Sequence, residues 1–229
     1  MNICVIPARG GSKRIPRKNI RDFAGRPMIA WPIQAALDAG CFARVVVSTE
    51  DAEIARTARA AGAEALDRPA EIADDYATTL DVMRHAAGAL PGAEVLCCLY
   101  ATAAFTTPGD LLAGKKALED DPDADYAFSV APSPPPVQRA LRLTHGGRVA
   151  PCHPEHTTTR TQDLEPLYHD AGAFYWGRAA AWATQKPVHG PGSIALPLPP
   201  HRVCDIDTEE DWARAEALFK ACLLYTSLM

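Results

Sequence analysis

The chain has 229 residues, of which 48% are hydrophobic and 22% charged, and its formal net charge is −5 at pH 7. This composition is typical of a globular protein with a substantial core, and we predict one domain over residues 1–222. The acidic balance argues against nucleic acid as a partner, and no run approaches the ~18 apolar residues of a membrane span. The chain has seven cysteines but no C-x-x-C pair, and its N-terminus shows no signal peptide. Both features predict a cytoplasmic protein with reduced thiols.

Short apolar runs and helix-forming segments alternate along the chain. We predict strands at residues 2–7, 44–48, 95–99, 126–130 and 173–176, and helices at residues 28–39, 51–61, 80–89, 108–120 and 209–222. Two helix starts are supported by Thr107 before Pro108 and by Thr208 before three acidic residues. The alternation predicts an α/β fold with a mostly parallel sheet and helices on both faces. Ligands of such folds bind at the carboxyl ends of the strands.

Proline-rich regions interrupt this alternation twice. Residues 132–168 lack helical periodicity, and we interpret them as an inserted arm rather than an independent domain. Residues 187–200 are predicted to be a connector that leads into a last short strand at 201–208. Residues 223–229 follow no usable pattern, and whether they are native or a non-native tail stays open.

The basic segment at residues 7–19 follows the first predicted strand. Between Arg9 and Arg26 the chain carries seven basic residues and one acid, although the whole protein is acidic. Two adjacent glycines allow close backbone approach, and lysine and arginine side chains neutralise phosphate oxygens. The segment therefore predicts a phosphate site, with a solvated basic loop as the alternative. Neither G-x-x-x-x-G-K-[ST] nor G-x-G-x-x-G is present, which excludes the P-loop and dinucleotide-binding classes.

A pair of aspartates precedes the last helix. Asp205 and Asp207 lie two residues apart, so in a strand they point to the same face. Their mutual repulsion is relieved by a cation, and Mg²⁺ is commonly held by one or two carboxylates together with substrate phosphates. The sequence therefore predicts a magnesium site, and the alternative is that Asp207 caps the helix while Asp205 is solvated.

An aromatic run at residues 168–176 contains a glycine and fits either a sugar-binding wall or part of the core. Arg160 is a candidate clamp for an anion. Three nearby histidines, His153, His156 and His169, lack the spacing of zinc ligands, and we interpret them as surface or substrate-facing residues.

The motif at residues 6–19 resembles the signature of the CMP-sialic acid synthetase (acylneuraminate cytidylyltransferase) family, whose members activate nonulosonic acids. Residues 46–51, 68–71 and 205–208 also match that family, and the resemblance covers residues 2–220. It implies a Rossmann-like nucleotidyltransferase fold whose inserted arm makes a homodimer. It also implies a reaction in which CTP and a nine-carbon α-keto sugar acid give a CMP-sugar and pyrophosphate.

The resemblance further implies roles for individual side chains. The triphosphate would be held by Arg9, Ser12, Lys13 and Lys18. Cytidine would be recognised by Asn19, Arg68 and Thr78. The sugar acid would contact Tyr100, Arg139, Arg160, His169 and Tyr175. Mg²⁺ would be held by Asp205 and Asp207, which are expected to be catalytic together with Arg9 and Lys18.

Within the family, residues 98–103, 137–141 and 168–177 resemble the branch that acts on pseudaminic acid. Tyr100 stands where the enzymes for sialic acid usually have glutamine. Ala104 departs from that branch, which usually has proline there, and Ala173 stands where glutamine is common. The alternatives are the same reaction on sialic or legionaminic acid, a non-catalytic nucleotide-binding protein, and a structural or adaptor protein.

Overall fold

The computed structural model describes residues 1–133 and 136–226. These residues contain eleven strands: β1 (Asn2–Pro7), β2 (Asp22–Phe23), β3 (Arg26–Pro27), β4 (Arg44–Thr49), β5 (Glu64–Asp67), β6 (Val95–Leu99), β7 (Tyr126–Pro132), β8 (Leu141–Leu143), β9 (Val149–Pro151), β10 (Tyr168–Arg178) and β11 (Ser193–Pro197). Six α-helices accompany them: α1 (Ala30–Asp38), α2 (Ala52–Ala60), α3 (Thr79–Ala89), α4 (Pro108–Asp120), α5 (Ala179–Ala183) and α6 (Glu209–Thr226). Every strand and helix predicted before residue 200 is found, with ends shifted by a few residues.

Seven strands form the central sheet in the order β11-β7-β10-β6-β1-β4-β5. All neighbouring pairs are parallel except those of β10, which is antiparallel to both β6 and β7. The predicted mostly parallel α/β sheet is therefore confirmed. The single reversed strand lies in the middle of the sheet and not at its edge.

The central strand β1 is apolar because both of its faces are covered. Cys4 lies opposite Val45 of β4 on one side and Cys97 of β6 on the other, and all three are buried. A strand buried on two faces reads as a continuous apolar run rather than an alternating one. The run at residues 3–6 is therefore sufficient to predict the strand.

Helices cover the two faces of the sheet, and each face has its own apolar core. Ile6 of β1, Ile33 of α1 and Trp176 of β10 are fully buried in the first core. Met83 of α3 and Trp182 of α5 are fully buried in the second. The predicted layers, with a helix layer on each side of the sheet, are confirmed.

Side-chain caps explain where the helices begin. Thr107 and Asp110 form a reciprocal capping box at the start of α4, as do Thr78 and Asp81 at the start of α3. The Asp51 carboxylate accepts hydrogen bonds from two backbone amides in the first turn of α2. Asp51 is thus the cap of the helix and not its first residue.

The region before the last helix differs from its prediction. The connector predicted at residues 187–200 contains β11, which adds a parallel edge strand beside β7. The strand predicted at 201–208 is wrong: Pro200–Arg202 is a 3₁₀ turn, and residues 203–207 join no sheet. Their alternation has another cause, because Ile206 is buried in a satellite core under α6.

The predicted C-terminal tail and the predicted arm lie only partly within the described residues. Helix α6 continues to Thr226, so the backbone at 223–226 belongs to the helix, whereas the predicted tail at 227–229 lies outside the described residues. The arm predicted at 132–168 includes residues 134 and 135, which also lie outside them. Its described part contains the hairpin of β8 and β9 and short 3₁₀ turns. Within residues 1–133 and 136–226, no helix combines the length and the apolar character that a bilayer span requires.

Candidate functional site

A cleft of about 440 Å³ lies beside the segments that follow β1, β5 and β6. It occupies the carboxyl end of the parallel strands, where the loops of such sheets create ligand sites. Eight of the predicted site residues line it, namely Arg9, Ser12, Lys13, Lys18, Asn19, Arg68, Thr78 and Tyr100.

The backbone of the loop after β1 is held in place by hydrogen bonds to two side chains. The Asn19 side-chain amide donates to the Arg9 carbonyl oxygen at 3.0 Å, and the Gly10 amide donates to the Glu50 carboxylate at 2.7 Å. A Cβ atom on Gly10 would collide with the carboxylate of Asp51, so only glycine fits at this position. The glycine predicted to let a ligand approach closely therefore also lets the loop approach α2.

Arg17 anchors the loop to α2. Its guanidinium donates to both carboxylate oxygens of Asp51, at 2.6 and 3.1 Å, and also to Glu53. The hydrogen bond from Arg17 is the largest cause that lowers the pKa of Asp51 to about 2, and the capping amides add to it. Arg17 has a backbone φ of 56°, which is uncommon for a residue with a side chain. This ion pair makes Arg17 a structural member of the basic loop rather than a free cation.

Lys18 joins the basic loop to the segment before α6. Its ammonium donates to the Ile206 carbonyl oxygen at 2.7 Å and lies 3.7 Å from an Asp207 carboxylate oxygen. Burial lowers the pKa of Lys18, and the negative charges of Asp207 and Asp205 oppose that shift. Arg14 also pairs with Asp207, at 2.7 Å. The fold thus brings together the two charged motifs that the sequence places at opposite ends of the chain.

The aspartate pair flanks a buried residue: Ile206 is buried, Asp207 is half-buried and Asp205 is exposed. Two carboxylates beside a basic loop suit a divalent cation, whose remaining ligands can be phosphate oxygens. Across the part of the chain that the structure describes, no group of three or more His, Cys, Asp or Glu side chains is arranged to hold a metal. The chain itself therefore supplies two carboxylates here rather than a complete coordination shell.

Arg68 lies on the inner wall of the cleft and is only 7% exposed. It donates to the Ser48 carbonyl oxygen at 2.6 Å and to the Ser48 hydroxyl at 3.3 Å. Burial lowers the pKa of the guanidinium, while the negative charge of Glu50 raises it. Because the Arg68 guanidinium is buried and bonded to Ser48 near the end of β4, it is a rigid donor group that suits the recognition of a planar polar ligand.

A second cleft of about 460 Å³ adjoins the first, and the two share Thr78, Thr79 and Tyr100. The Tyr100 and Thr79 hydroxyls lie 2.9 Å apart, and the Tyr100 ring lies 5.3 Å from that of Tyr175. Burial raises the pKa of both tyrosines, so both are neutral donors. Tyr100 and Tyr175, predicted to contact the sugar, are thus brought together at one wall.

Sequence reasoning missed two polar residues of the second cleft. Asp170 accepts from the Tyr175 hydroxyl at 2.7 Å, and its other carboxylate oxygen lies 2.9 Å from His189 Nε2. Gly172, at φ 59°, lies within a register shift of β10 that brings Asp170 and Tyr175 together. Asp170 lies inside the aromatic run at residues 168–176, which could have drawn attention to it, whereas no sequence signal marked His189.

Three predicted substrate contacts lie apart from both clefts as the described residues define them. Arg160 pairs with Asp163 at 2.7 and 3.1 Å, and Arg139 donates to the Thr159 carbonyl oxygen. Both belong to the arm. His169 lies exposed at the start of β10. The predicted contacts of Arg139, Arg160 and His169 with the sugar acid therefore stay predictions.

Comparison with known proteins agrees with this geometry. The family model described as "Cytidylyltransferase" matches residues 3–185. A pseudaminic acid cytidylyltransferase of Campylobacter jejuni is 42% identical over 226 residues, which cover 96% of each chain. N-acylneuraminate cytidylyltransferase A of Danio rerio is 31% identical over 218 residues, which cover 93% of this chain and 49% of that protein.

The fold is also shared with a solved structure of CMP:2-keto-3-deoxy-manno-octonic acid synthetase complexed with CTP. The TM-score is 0.71 with 18% sequence identity, and the match covers 96% of this chain and 98% of the other. This likeness confirms the predicted nucleotidyltransferase-type fold.

The ion pair between Arg17 and Asp51 yields a pH-dependent prediction. Asp51→Asn keeps an oxygen that can cap α2 but removes the charge that Arg17 binds. Because the folded-state pKa of Asp51 is depressed to about 2, its ionised form stabilises the fold above the unfolded-state pKa, and this contribution is lost as the pH falls toward 2. We predict a loss of about 1 kcal/mol at pH 7, which shrinks between about pH 4 and pH 2.

Urea unfolding followed by circular dichroism at several pH values measures this difference. Asp123→Asn, which removes an exposed carboxylate outside the clefts, serves as the control and should be nearly neutral. A destabilisation of Asp51→Asn that stays constant down to pH 3 would contradict the assignment.

Proposed function

Because the chain belongs to the cytidylyltransferase family, we propose that it transfers the cytidylyl group of CTP to pseudaminic acid, giving CMP-pseudaminic acid and pyrophosphate. The observation that carries the proposal is the 42% identity to a pseudaminic acid cytidylyltransferase over 96% of both chains. The two adjoining clefts support it, since one is lined by cations and the other by tyrosines. The same reaction on sialic or legionaminic acid is the alternative, and the cytoplasm, which supplies CTP, is the proposed compartment.

In the proposed reaction the anomeric hydroxyl oxygen of the sugar attacks the α-phosphorus of CTP. A new O–P bond forms, the bond to the β-phosphate breaks, and pyrophosphate leaves with the bonding electrons while the hydroxyl proton is lost. Catalysis of such a displacement consists mostly of positioning and charge stabilisation. Arg9, Lys13 and Lys18 are proposed to neutralise the triphosphate, and the Ser12 hydroxyl is proposed to donate a hydrogen bond to it.

Cytidine is proposed to lie against the inner wall of the first cleft. Arg68 and Asn19 are buried there with donor groups held in place by the sheet and the loop. A fixed guanidinium and amide can donate to the acceptor atoms at the cytosine edge. Thr78 lines the same cleft, but its hydroxyl already bonds the Asp81 carboxylate and caps α3.

The sugar is proposed to occupy the second cleft, next to the α-phosphate. Tyr100 lines both clefts, and Tyr175 and Asp170 line the second cleft with it. Tyrosine offers one hydroxyl and an apolar ring, whereas glutamine offers several hydrogen-bonding groups. A less polar wall suits pseudaminic acid, which has deoxy and acetamido positions in place of several sialic acid hydroxyls.

Mg²⁺ is part of the proposal, and Asp205 and Asp207 would hold it. When bound, it would neutralise phosphate charge and help to orient the reacting groups. The carboxylate of Asp207 already lies among the cations of the phosphate loop, with Arg14 at 2.7 Å and Lys18 at 3.7 Å. Lys18 keeps the aspartate segment against that loop through its bond to the Ile206 carbonyl.

A homodimer is proposed to complete the site. Leu141, Leu143 and Val149 are exposed on the hairpin of β8 and β9, where Leu143 and Val149 are opposite each other. Large exposed apolar groups concentrated on one hairpin indicate an interface. Arg139 and Arg160 lie in the same arm, so pairing of two copies would allow them to reach the partner's sugar pocket.

The proposed activity is tested by pyrophosphate release from CTP, UTP, ATP or GTP with pseudaminic, legionaminic or sialic acid. We expect CTP and pseudaminic acid to give the highest kcat/KM. Tyr100→Gln should reduce the preference for pseudaminic over sialic acid by about 10-fold or more, because it restores an amide to the wall. Tyr100→Phe keeps the ring and is the matched control, which should retain the preference. Equal use of a purine triphosphate would refute the cytidylyl assignment, and equal use of sialic acid would refute the sugar.

The metal proposal is tested with Asp207→Asn, which keeps the size of the side chain and removes its charge. We predict that kcat falls by about 100-fold and that the Mg²⁺ concentration needed for half-maximal rate rises. Thermal stability should fall only modestly, because the lost pair with Arg14 is mostly exposed and Lys18 keeps its bond to the Ile206 carbonyl oxygen and the nearby charge of Asp205. Glu210→Gln removes the charge of an exposed carboxylate nearby and serves as the control, which should behave like the unaltered enzyme. Normal turnover with unchanged metal dependence in Asp207→Asn would contradict the role.

The dimer is tested by light scattering at micromolar concentration. We predict that the unaltered chain is a dimer and that Leu143→Asp, on the hairpin, shifts it toward monomer and lowers activity. Leu112→Asp places the same charge at an exposed leucine of α4, outside the arm, and should remain dimeric. A monomeric unaltered chain at this concentration would overturn the proposal.

A further inference from the structure

An acidic side chain lies inside the cationic cleft. Asp75, on the segment between the 3₁₀ turn Ala70–Ile72 and α3, lines the cleft together with the phosphate loop. One of its carboxylate oxygens accepts from the Arg9 guanidinium, and the other pairs with the Lys13 ammonium. Arg9 also donates to the Asp74 carbonyl oxygen at 3.1 Å. Two cations of the phosphate loop are therefore bridged by a single carboxylate.

Local structure holds this carboxylate in place. The Asp74 side chain accepts from the amides of Tyr76 and Ala77, at 2.9 and 2.8 Å, and closes the turn that carries Asp75. Directly after it, the capping box of Thr78 fixes the start of α3. The Asp75 carboxylate is therefore presented to the loop from a short segment anchored at its C-terminal end.

The contact is electrostatic and open to exchange. The hydrogen bonds from Lys13 and Arg9 lower the pKa of Asp75, so the carboxylate is ionised at neutral pH. Lys13 is 81% exposed, and an exposed ion pair of this kind is weak because water screens it. A phosphate group brings more negative charge and more acceptor oxygens than a carboxylate. A triphosphate can therefore replace Asp75 on both cations.

Resting on the proposed function, we propose that Asp75 is a positioning residue that substitutes for the leaving phosphates. Before CTP binds, it holds Arg9 and Lys13 in the cleft. The β- and γ-phosphates displace it, and when pyrophosphate leaves, the carboxylate returns to the same cations. Asp75 thus weakens the binding of pyrophosphate and favours product release, through Arg9 and Lys13 and without contact with the reacting atoms.

Calorimetric titration of Asp75→Asn with inorganic pyrophosphate, CTP and cytidine tests this inference. Removal of the competing charge should tighten pyrophosphate and CTP binding about 3- to 10-fold, since two exposed pairs are removed, and leave cytidine binding unchanged. In turnover, KM for CTP and kcat should both fall, because the product is held longer. Asp75→Glu, which restores the charge, should recover the values of the unaltered chain at least in part.

Asp120→Asn is the matched control, since it removes an exposed carboxylate that pairs with Lys116 outside the clefts. It should change none of these affinities. Pyrophosphate binding that is unchanged or weaker in Asp75→Asn, in a chain that still converts CTP, would overturn this inference alone. An unaltered chain that binds neither CTP nor pyrophosphate would overturn the proposed function and this inference with it.

Discussion

The contact of Lys18 with the segment before α6 is the interaction on which the site depends. The ammonium is half-buried, which disfavours its charge, and it is compensated by the Ile206 carbonyl and the nearby carboxylates of Asp207 and Asp205. Without Lys18, the carboxylates of Asp205 and Asp207 would repel each other more strongly, and the segment before α6 would no longer be bonded to the basic loop. This half-buried cation, together with the pair of Arg14 and Asp207, holds the two charged motifs against each other.

Local chemistry explains which parts of the molecule could be predicted from the sequence. The basic loop at residues 7–19 could be predicted to line a cleft, because it directly follows the first buried strand of the sheet. Its role in phosphate binding stays a prediction. The helix start at Thr107 could be predicted because capping involves residues only three apart. The strand predicted around the aspartate pair is wrong, because the burial of Ile206 under α6 produces the same alternation of polar and apolar residues as a strand. The metal-binding role of the pair stays a prediction.

Features that depend on long-range placement could not be predicted. β11 was hidden by proline and glycine around it, and its pairing with the edge of the sheet overrides those local signals. The bridge from Asp75 to Arg9 and Lys13 joins residues more than 60 positions apart, and nothing in the sequence marks it. The network of Asp170, Tyr175 and His189 likewise arises from the register shift in β10 and not from a motif.

The reversed strand β10 has a consequence for how the protein is made. It lies between β6 and β7, yet it is completed only at residue 178, long after both neighbours have left the ribosome. During synthesis, β1, β4, β5 and β6 can pair first, while β7 must wait for a strand that is not yet translated. A chain translated only as far as β7 therefore leaves one edge of β6 unpaired, and the second cleft cannot form until Asp170, Tyr175 and His189 have emerged.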